Sequence, residues 1–134
     1  MFDILSGMNE SPEAIRTPTY EEVLTALAVS YEAGVQKEDR AGHEAFIKLG
    51  EYTRAKEVQI DTCEDAVEAE FRRVEFSFEL GKMYLQAGYV KEAKDTILQS
   101  LSGTLSGEFH NLFQEIHDFF LSNGGTEEEI DSCI

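Results

Sequence analysis

Apolar residues recur every three or four positions along most of this chain, which is the spacing of an amphipathic helix. The two prolines, Pro12 and Pro18, both lie before the main part of this pattern. No residue after position 18 therefore forbids a long helix. No alternating run is long enough to predict a strand. We expect an all-α fold of antiparallel helical hairpins, stacked as a short array or bundle with a carboxyl-terminal capping helix.

The periodic pattern begins near Thr19 and divides the chain into two parts. Residues 1–18 contain turn formers such as Gly7 and Pro12 and predict a flexible amino-terminal arm. Residues 19–134 carry the periodic pattern and predict a single all-helical domain. A chain of 134 residues is of the size that buries one core.

Start and stop signals divide the domain into separate helices. Thr19 followed by Glu22, and Thr126 followed by Glu129, have the spacing of a capping box. Asp61 followed by Glu64 is a weaker start signal of the same kind. The predicted helices cover about 20–34, 38–58, 61–88, 91–101 and 107–123, with a terminal turn after Thr126.

Two glycine-rich segments set the boundaries of the later helices. Gly103 is interpreted as the end of the fourth helix, because glycine is the usual residue after a helix. Ser106 or Gly107 is interpreted as the start of the fifth helix. Glycines 124 and 125 are expected to end it.

The charge of the chain is strongly negative and unevenly distributed. There are 27 acids against 11 bases, a formal charge of -16, and residues 95–134 contain no base. Such a field repels phosphate backbones and anionic lipid surfaces. We therefore expect no direct binding to nucleic acid and none to a membrane. No apolar run approaches the roughly 18 residues that span a bilayer.

Cys63 and Cys133 lie far apart, and no charged-then-apolar signal segment precedes them. Both are expected to be reduced thiols, which indicates a cytoplasmic protein.

A known pattern lies between residues 74 and 101. Leu80, Gly81, Tyr84, Ala93 and Ile97 have the spacing of a helix-turn-helix unit in which small residues let two helices approach closely. This unit resembles the tetratricopeptide repeat. It departs from that pattern at position 77 and at position 100, both serine, and in having no terminal proline. Residues 20–59 echo the pattern with a one-residue slip, as a degenerate first unit.

The resemblance implies a concave groove, lined by the first helices of the repeats, that binds a peptide or a helix of a partner protein. Carried over residue by residue, it places Glu75, Phe78, Lys82, Leu85 and Gln86 in that groove. The basic and amide constellation with which some members grip a terminal carboxylate is not evident, because Phe78 occupies one of its positions.

Residues 107–123 resemble the helix that closes such arrays. The phenylalanines of this segment have two interpretations: they cap the core, or they pair with a second copy to form a homodimer.

Catalytic and metal-binding patterns are scarce. His110, Gln114 and His117 share one helix face with Asp118 nearby, yet the segment lacks a His pair at i and i+4. Carboxylate-bridged iron bundles need Glu-x-x-His, and nucleophile elbows need Gly-x-Ser-x-Gly; neither occurs. We expect no enzyme activity, no metal and no cofactor.

Two functions remain from different classes. The first is a small acidic helical-repeat protein that mediates protein-protein interaction, as an adaptor or chaperone-like binding module. The alternative is an acidic mimic of nucleic acid that inhibits a DNA- or RNA-binding protein, for which the charge of -16 is the motive.

Overall fold

A computed structural model describes residues 17–34 and 44–133. Within these two ranges the chain forms six α-helices and no strand, which confirms the all-α prediction. Apart from Thr17 and Pro18, the predicted arm lies outside the described residues. The helices are α1 Tyr20–Glu32, α2 Glu44–Asp61, α3 Ala66–Ala87, α4 Val90–Gly107, α5 His110–Ser122 and α6 Glu127–Cys133.

Both capping boxes are present in the structure. The Thr19 hydroxyl accepts a hydrogen bond from the Glu22 amide at 3.2 Å, and the Glu22 carboxylate accepts from the Thr19 amide at 2.8 Å. Thr126 and Glu129 make the same two bonds, at 3.1 and 3.0 Å. These side chains replace hydrogen-bond partners that the first turn of a helix lacks.

The predicted start of α3 at Asp61 is wrong by four residues. Asp61 is the last residue of α2, and its carboxylate pairs with Arg73 at 3.2 Å. Asp65 is the true N-cap, since its side chain accepts from the amides of Val67 and Glu68. The sequence offered two aspartates, and only the second lies next to free amides.

The predicted end of α4 near Gly103 is also wrong. The helix continues to Gly107, and a Cβ atom placed on Gly103 would lie 2.8 Å from Cγ2 of Val74. Gly103 therefore permits a close approach of two helices instead of ending one. The chain turns at Glu108, in the left-handed region with φ 59°, and α5 starts at His110 instead of at Ser106 or Gly107.

The helical hairpin of α3 and α4 is the centre of the fold. A Cβ atom on Gly81 would lie 2.5 Å from Cγ1 of Ile97, so the two backbones approach closely where the sequence pattern predicted it. The left-handed Gly88, with φ 111°, ends α3. Gly81 faces Ile97 and Gly103 faces Val74, so the two helices are antiparallel.

Two hydrophobic cores lie at opposite ends of α3. The tyrosine core joins α1 and α2 to the carboxyl end of α3, from Met83, and to the start of α4, whereas the phenylalanine core joins Val74 and Phe78 of α3 to α4, α5 and α6. The tyrosine core buries Val23, Leu27, Ala45, Phe46, Leu49, Tyr52, Met83, Tyr84, Ala87, Tyr89 and Ala93. The phenylalanine core buries Val74, Phe78, Ile97, Leu101, Leu112, Ile116, Phe120 and Ile130, with Phe71, Phe109, Phe113 and Phe119 packed against it.

Ring contacts give the direction of α5. Phe71 packs on Phe109 at 5.2 Å between ring centroids, and Phe78 packs on Phe119 at 5.3 Å. The earlier ring on α3 meets Phe109, the N-cap of α5, and the later ring meets Phe119 near the end of α5, so the two helices are parallel. This order of helices is compatible with a helical repeat.

Helix α1 meets the carboxyl end of α3. The Tyr20 hydroxyl donates to the Gln86 side chain at 3.1 Å, and the Tyr31 ring lies against Gly88. The α1–α2 hairpin therefore meets the α3–α4 hairpin at the carboxyl end of α3. No helix in the described ranges is long and apolar enough to cross a membrane.

Candidate functional site

A cleft of about 440 Å³ crosses α3. Helix α3 forms its floor, the second half of α2 forms one wall, and α5 forms the other. Its apolar lining consists of Ile60, Phe76, Phe78 and Leu112. Its charged lining consists of Lys56, Arg72, Glu75, Glu79, Lys82 and Glu115.

The cleft lies beside the half of α2 that is least held by the core. The first half of this helix buries Ala45, Phe46, Leu49 and Tyr52, whereas beyond Tyr52 it buries Ile60 alone. With fewer apolar anchors, the second half of α2 leaves space along α3. The cleft is therefore a consequence of where the apolar residues of α2 stop.

Two of the three acids in the cleft have partners within the fold. Arg72 contacts Glu68 at 3.2 Å and Glu75 at 3.7 Å. The Tyr52 hydroxyl donates a short hydrogen bond to Glu79. These contacts fix the two carboxylates on the floor of the cleft.

The Tyr52 phenol is held in its protonated form. Burial raises its pKa above the ordinary value, and the hydrogen bond to Glu79 and the charge of that carboxylate raise it further. The pKa of Tyr20 is raised as well, first by burial and then by Glu79. Both tyrosines therefore act as hydrogen-bond donors near the cleft at neutral pH, and neither is an available base.

The two lysines in the cleft lie over aromatic rings. The Lys82 ammonium is 4.5 Å from the centroid of the Phe78 ring, and the Lys56 ammonium is 5.7 Å from that of Tyr52. Both distances are within the range of a cation-π interaction. Neither lysine has an ion pair among the residues that the structure describes.

The structure brings three of the five predicted groove residues into this cleft. Glu75, Phe78 and Lys82 line it, and Phe78 is only 4% exposed, so it belongs to the floor. Leu85 is half-buried against the tyrosine core. Gln86 is exposed and accepts the hydrogen bond from Tyr20.

Sequence reasoning missed the walls of the cleft. Lys56 and Ile60 come from α2, and Leu112 and Glu115 come from α5. The periodicity of each helix separates buried from exposed positions, but it does not give the angle between two helices. No signal in the sequence could have assigned these four residues to one site.

The helix face that carries His110, Gln114 and His117 is occupied by internal contacts. His117 lies between the carboxylates of Asp118 at 3.4 Å and Glu127 at 3.3 Å, and Gln114 donates to Asp118 at 2.9 Å. Burial lowers the pKa of His117, but the two hydrogen bonds and the two negative charges outweigh it and the pKa is raised. Across the described ranges, no group of three or more His, Cys, Asp or Glu could hold a metal ion.

Comparisons with protein-family models, with curated proteins and with solved structures find no match for this chain.

Proposed function

We propose that this chain is a binding protein that takes a segment of a partner protein in the cleft across α3. The observation that carries the proposal is the composition of the cleft, which has a volume of about 440 Å³ and combines four apolar side chains with charged side chains from three helices. Binding sites of this kind obtain affinity from apolar anchors and orientation from a few polar groups. An adaptor or a chaperone-like module has this design.

A tetratricopeptide-like organisation is part of the same proposal. The antiparallel pair of α3 and α4, with close approach at Gly81 and the fully buried Ala93, supports one repeat over residues 74–101. The parallel α5 takes the place of the next first helix, as a capping helix does. Two of the three helices that line the cleft, α3 and α5, would be first helices of such an array, whereas α2 would be a second helix.

The proposal assigns binding and not catalysis to the cleft, and no cofactor. No histidine lines it, and the carboxylates of Glu75 and Glu79 are engaged by Arg72 and Tyr52. Cys63 lines the cleft as a free thiol. Free cysteines also support the cytoplasmic location that belongs to this proposal.

The alternative proposal is an acidic mimic of nucleic acid. Its support is the net charge of -16 and the base-free segment 95–134. Within that segment, Asp118 and Glu127 hold His117, and Glu129 binds Lys94 and caps α6. These carboxylates serve the fold, which favours the cleft as the binding surface.

A homodimer through residues 107–123 stays a prediction. In the structure Leu112, Ile116 and Phe120 of α5 are buried inside the chain itself. Less of this helix is therefore available to a second copy. Sedimentation equilibrium measures the association directly.

The test of the cleft uses a variant that fills it without touching the core. Phe78 is unsuitable, because it is buried and its replacement would destabilise the core. Gln59 and Glu115 are exposed and lie on opposite walls, so Gln59→Trp with Glu115→Trp closes the cleft from both sides. The matched control is Gln99→Trp with Glu70→Trp, at exposed positions that do not line the cleft.

Short random peptides displayed on a carrier are selected against the native chain, and binding of the selected peptides is then measured on both variants. We expect the cleft variant to lose about tenfold or more in affinity while the control binds as the native chain does. Peptides that bind both variants equally, or a selection that yields no binder, would contradict the proposed function. If the selected peptides are basic and are released by salt on all three chains, the mimic alternative gains support.

A further inference from the structure

The described bases of this chain fall into two groups. Eight Lys and Arg side chains lie in the described ranges. Four of them, Lys48, Arg72, Arg73 and Lys94, form ion pairs. The other four, Arg54, Lys56, Lys82 and Lys91, form none among the described residues.

Two of the four bases without an ion pair differ from the other two in burial and position. Arg54 and Lys91 are exposed, so water solvates their charges. Lys56 and Lys82 are half-buried, and both line the cleft across α3. A half-buried ammonium without a carboxylate partner has lost part of its hydration without full compensation.

The excess of acid makes it informative that Lys56 and Lys82 form no ion pair with a described residue. The chain has 27 acids for 11 bases, so carboxylates greatly outnumber the bases that could pair with them. In the cleft, Glu75 is engaged by Arg72 and Glu79 accepts from Tyr52. The two ammonium groups are held instead against the rings of Phe78 and Tyr52, which orients them and leaves their N–H donors available.

We propose that Lys56 and Lys82 form a subsite for the acidic side chain of the bound segment. The occupant is then an apolar segment that carries Asp or Glu, and its carboxylate takes the place that no carboxylate in residues 17–34 and 44–133 fills. This inference rests on the proposed function, because it names the chemistry of the partner that the cleft binds. Charge-assisted hydrogen bonds of this kind fix the register of a bound peptide.

A side-chain carboxylate fits this cleft better than a terminal one. Terminal carboxylates are captured by groups of free backbone N–H donors. Every lining residue except Cys63 and Leu112 lies beyond the first turn of α2, α3 or α5, where the backbone amides are bonded within the helix, and the Cys63 amide donates to the Ile60 carbonyl. Leu112 lies in the first turn of α5, whose amides have no acceptor within the helix. The cleft therefore offers a single first-turn amide, where terminal capture uses a group of them, and its other donors belong to side chains.

The opposite wall sets the orientation of the segment. Glu115 on α5 is exposed and has no ion pair among the described residues. It repels a second acid placed near it. The acidic side of the segment therefore faces Lys56 on α2 and Lys82 on α3, away from α5.

The experiment uses two variants of equal charge. Lys56→Met with Lys82→Met removes both ammonium groups and keeps side chains of similar length over the rings. Arg54→Met with Lys91→Met removes two exposed charges outside the cleft and is the matched control. Both variants are checked for native helix content by circular dichroism before binding is measured.

Short random peptides are selected against the native full-length chain while fused to their carrier through the carboxyl end, which removes the terminal carboxylate. A protein of charge -16 attracts basic peptides unspecifically, so enrichment of Asp or Glu beside apolar residues runs against its overall field. We expect that enrichment on the native chain and on the control. We also expect it to vanish on the Lys56→Met, Lys82→Met variant.

A selected peptide is then synthesised with an amidated end, together with a version in which each Glu is replaced by Gln. We expect the Glu→Gln peptide to bind the native chain about tenfold more weakly, and both peptides to bind the methionine variant alike. Peptides that need the open cleft but contain no acid, or that ignore both lysines, overturn the carboxylate subsite and leave the proposed function standing. Binding that requires a free carboxyl end overturns it in favour of terminal capture. If the selected peptides bind the Gln59→Trp, Glu115→Trp variant as tightly as the native chain, both the carboxylate subsite and the proposed function are overturned.

Discussion

The tyrosine core and the phenylalanine core differ in whether their aromatic rings carry a hydroxyl group. Tyr20 and Tyr52 of the first carry hydroxyls that donate to Gln86 and Glu79 at its edge. The rings of the second are hydrocarbon throughout, and Phe120 is 2% exposed. Both cores border the cleft: the first presents the polar contact of Tyr52 with Glu79, and the second presents the hydrocarbon side chains of Phe78 and Leu112.

The largest expected effect tests closure of the phenylalanine core. Phe120→Ala removes a ring that packs among α4, α5 and α6 and should cost about 3–5 kcal/mol of unfolding free energy. Urea unfolding followed by circular dichroism measures the loss. A cost below about 1 kcal/mol would show that this half is loosely packed and remove the contrast between the cores.

The next effect tests the close approach of α3 and α4. Gly81→Val places a branched side chain where a Cβ atom already lies 2.5 Å from Ile97, and should cost about 1–3 kcal/mol. Gly50→Val in α2 is the control, because nothing lies within 4 Å of its Cβ position and valine forms helix slightly better than glycine. We expect the control to change stability by less than about 0.5 kcal/mol. Equal losses of stability at Gly81 and Gly50 would mean that valine destabilises the helix itself, and that the close approach of α3 and α4 does not explain the loss.

A smaller effect tests the polar edge of the tyrosine core. Tyr52→Phe removes the hydrogen bond to Glu79 and should cost about 1 kcal/mol at neutral pH, since the pair is partly exposed. Because the folded pKa of Tyr52 is raised, the unfolded chain loses its proton first as pH rises. This contribution is therefore complete below about pH 10 and is lost above it. Unfolding measured from neutral to alkaline pH should show a shallower decline for Tyr52→Phe, and an unchanged decline would contradict the assignment.

The smallest effect tests the contact between α5 and α6. The folded pKa of His117 is raised by Asp118 and Glu127, so its stabilisation is present below about pH 6.5 and is lost as pH rises through the folded pKa. His117→Gln should lower stability by about 0.5 kcal/mol near pH 5.5, and by less at higher pH. Glu127→Gln should give a loss of the same sign, and the double variant should lose less than the sum. Losses of stability that add up in the double variant would show that His117 and Glu127 do not interact.

The local features of the fold were predictable from the sequence. The two threonine capping boxes, the end of α3 at Gly88 and the apolar periodicity depend on residues close in the chain, and each appears in the structure. Gly103 and Asp61 were misassigned because their roles depend on Val74 and Arg73, which belong to another helix. Sequence spacing carries no direct information about such contacts.

The candidate site likewise combines residues of one helix, which sequence spacing can group, with residues of other helices, which it cannot. Glu75, Phe78 and Lys82 lie on one face of α3, so a pattern on one helix identified them together. The walls depend on the angle at which α2 leaves the tyrosine core after Tyr52, and that angle follows from packing between helices. That Lys56 and Lys82 form no ion pair with any described residue becomes visible only once their neighbours on α2, α3 and α5 are placed.

Helix α3 supplies Met83, Tyr84 and Ala87 to one core and Val74 and Phe78 to the other. Neither half can open without exposing the helix that the other half also covers. The backbone amides in the middle of α3 therefore exchange their hydrogens for deuterium only through global unfolding, and more slowly than those of α6. The backbone amides under the floor of the cleft are therefore expected to be the last to exchange.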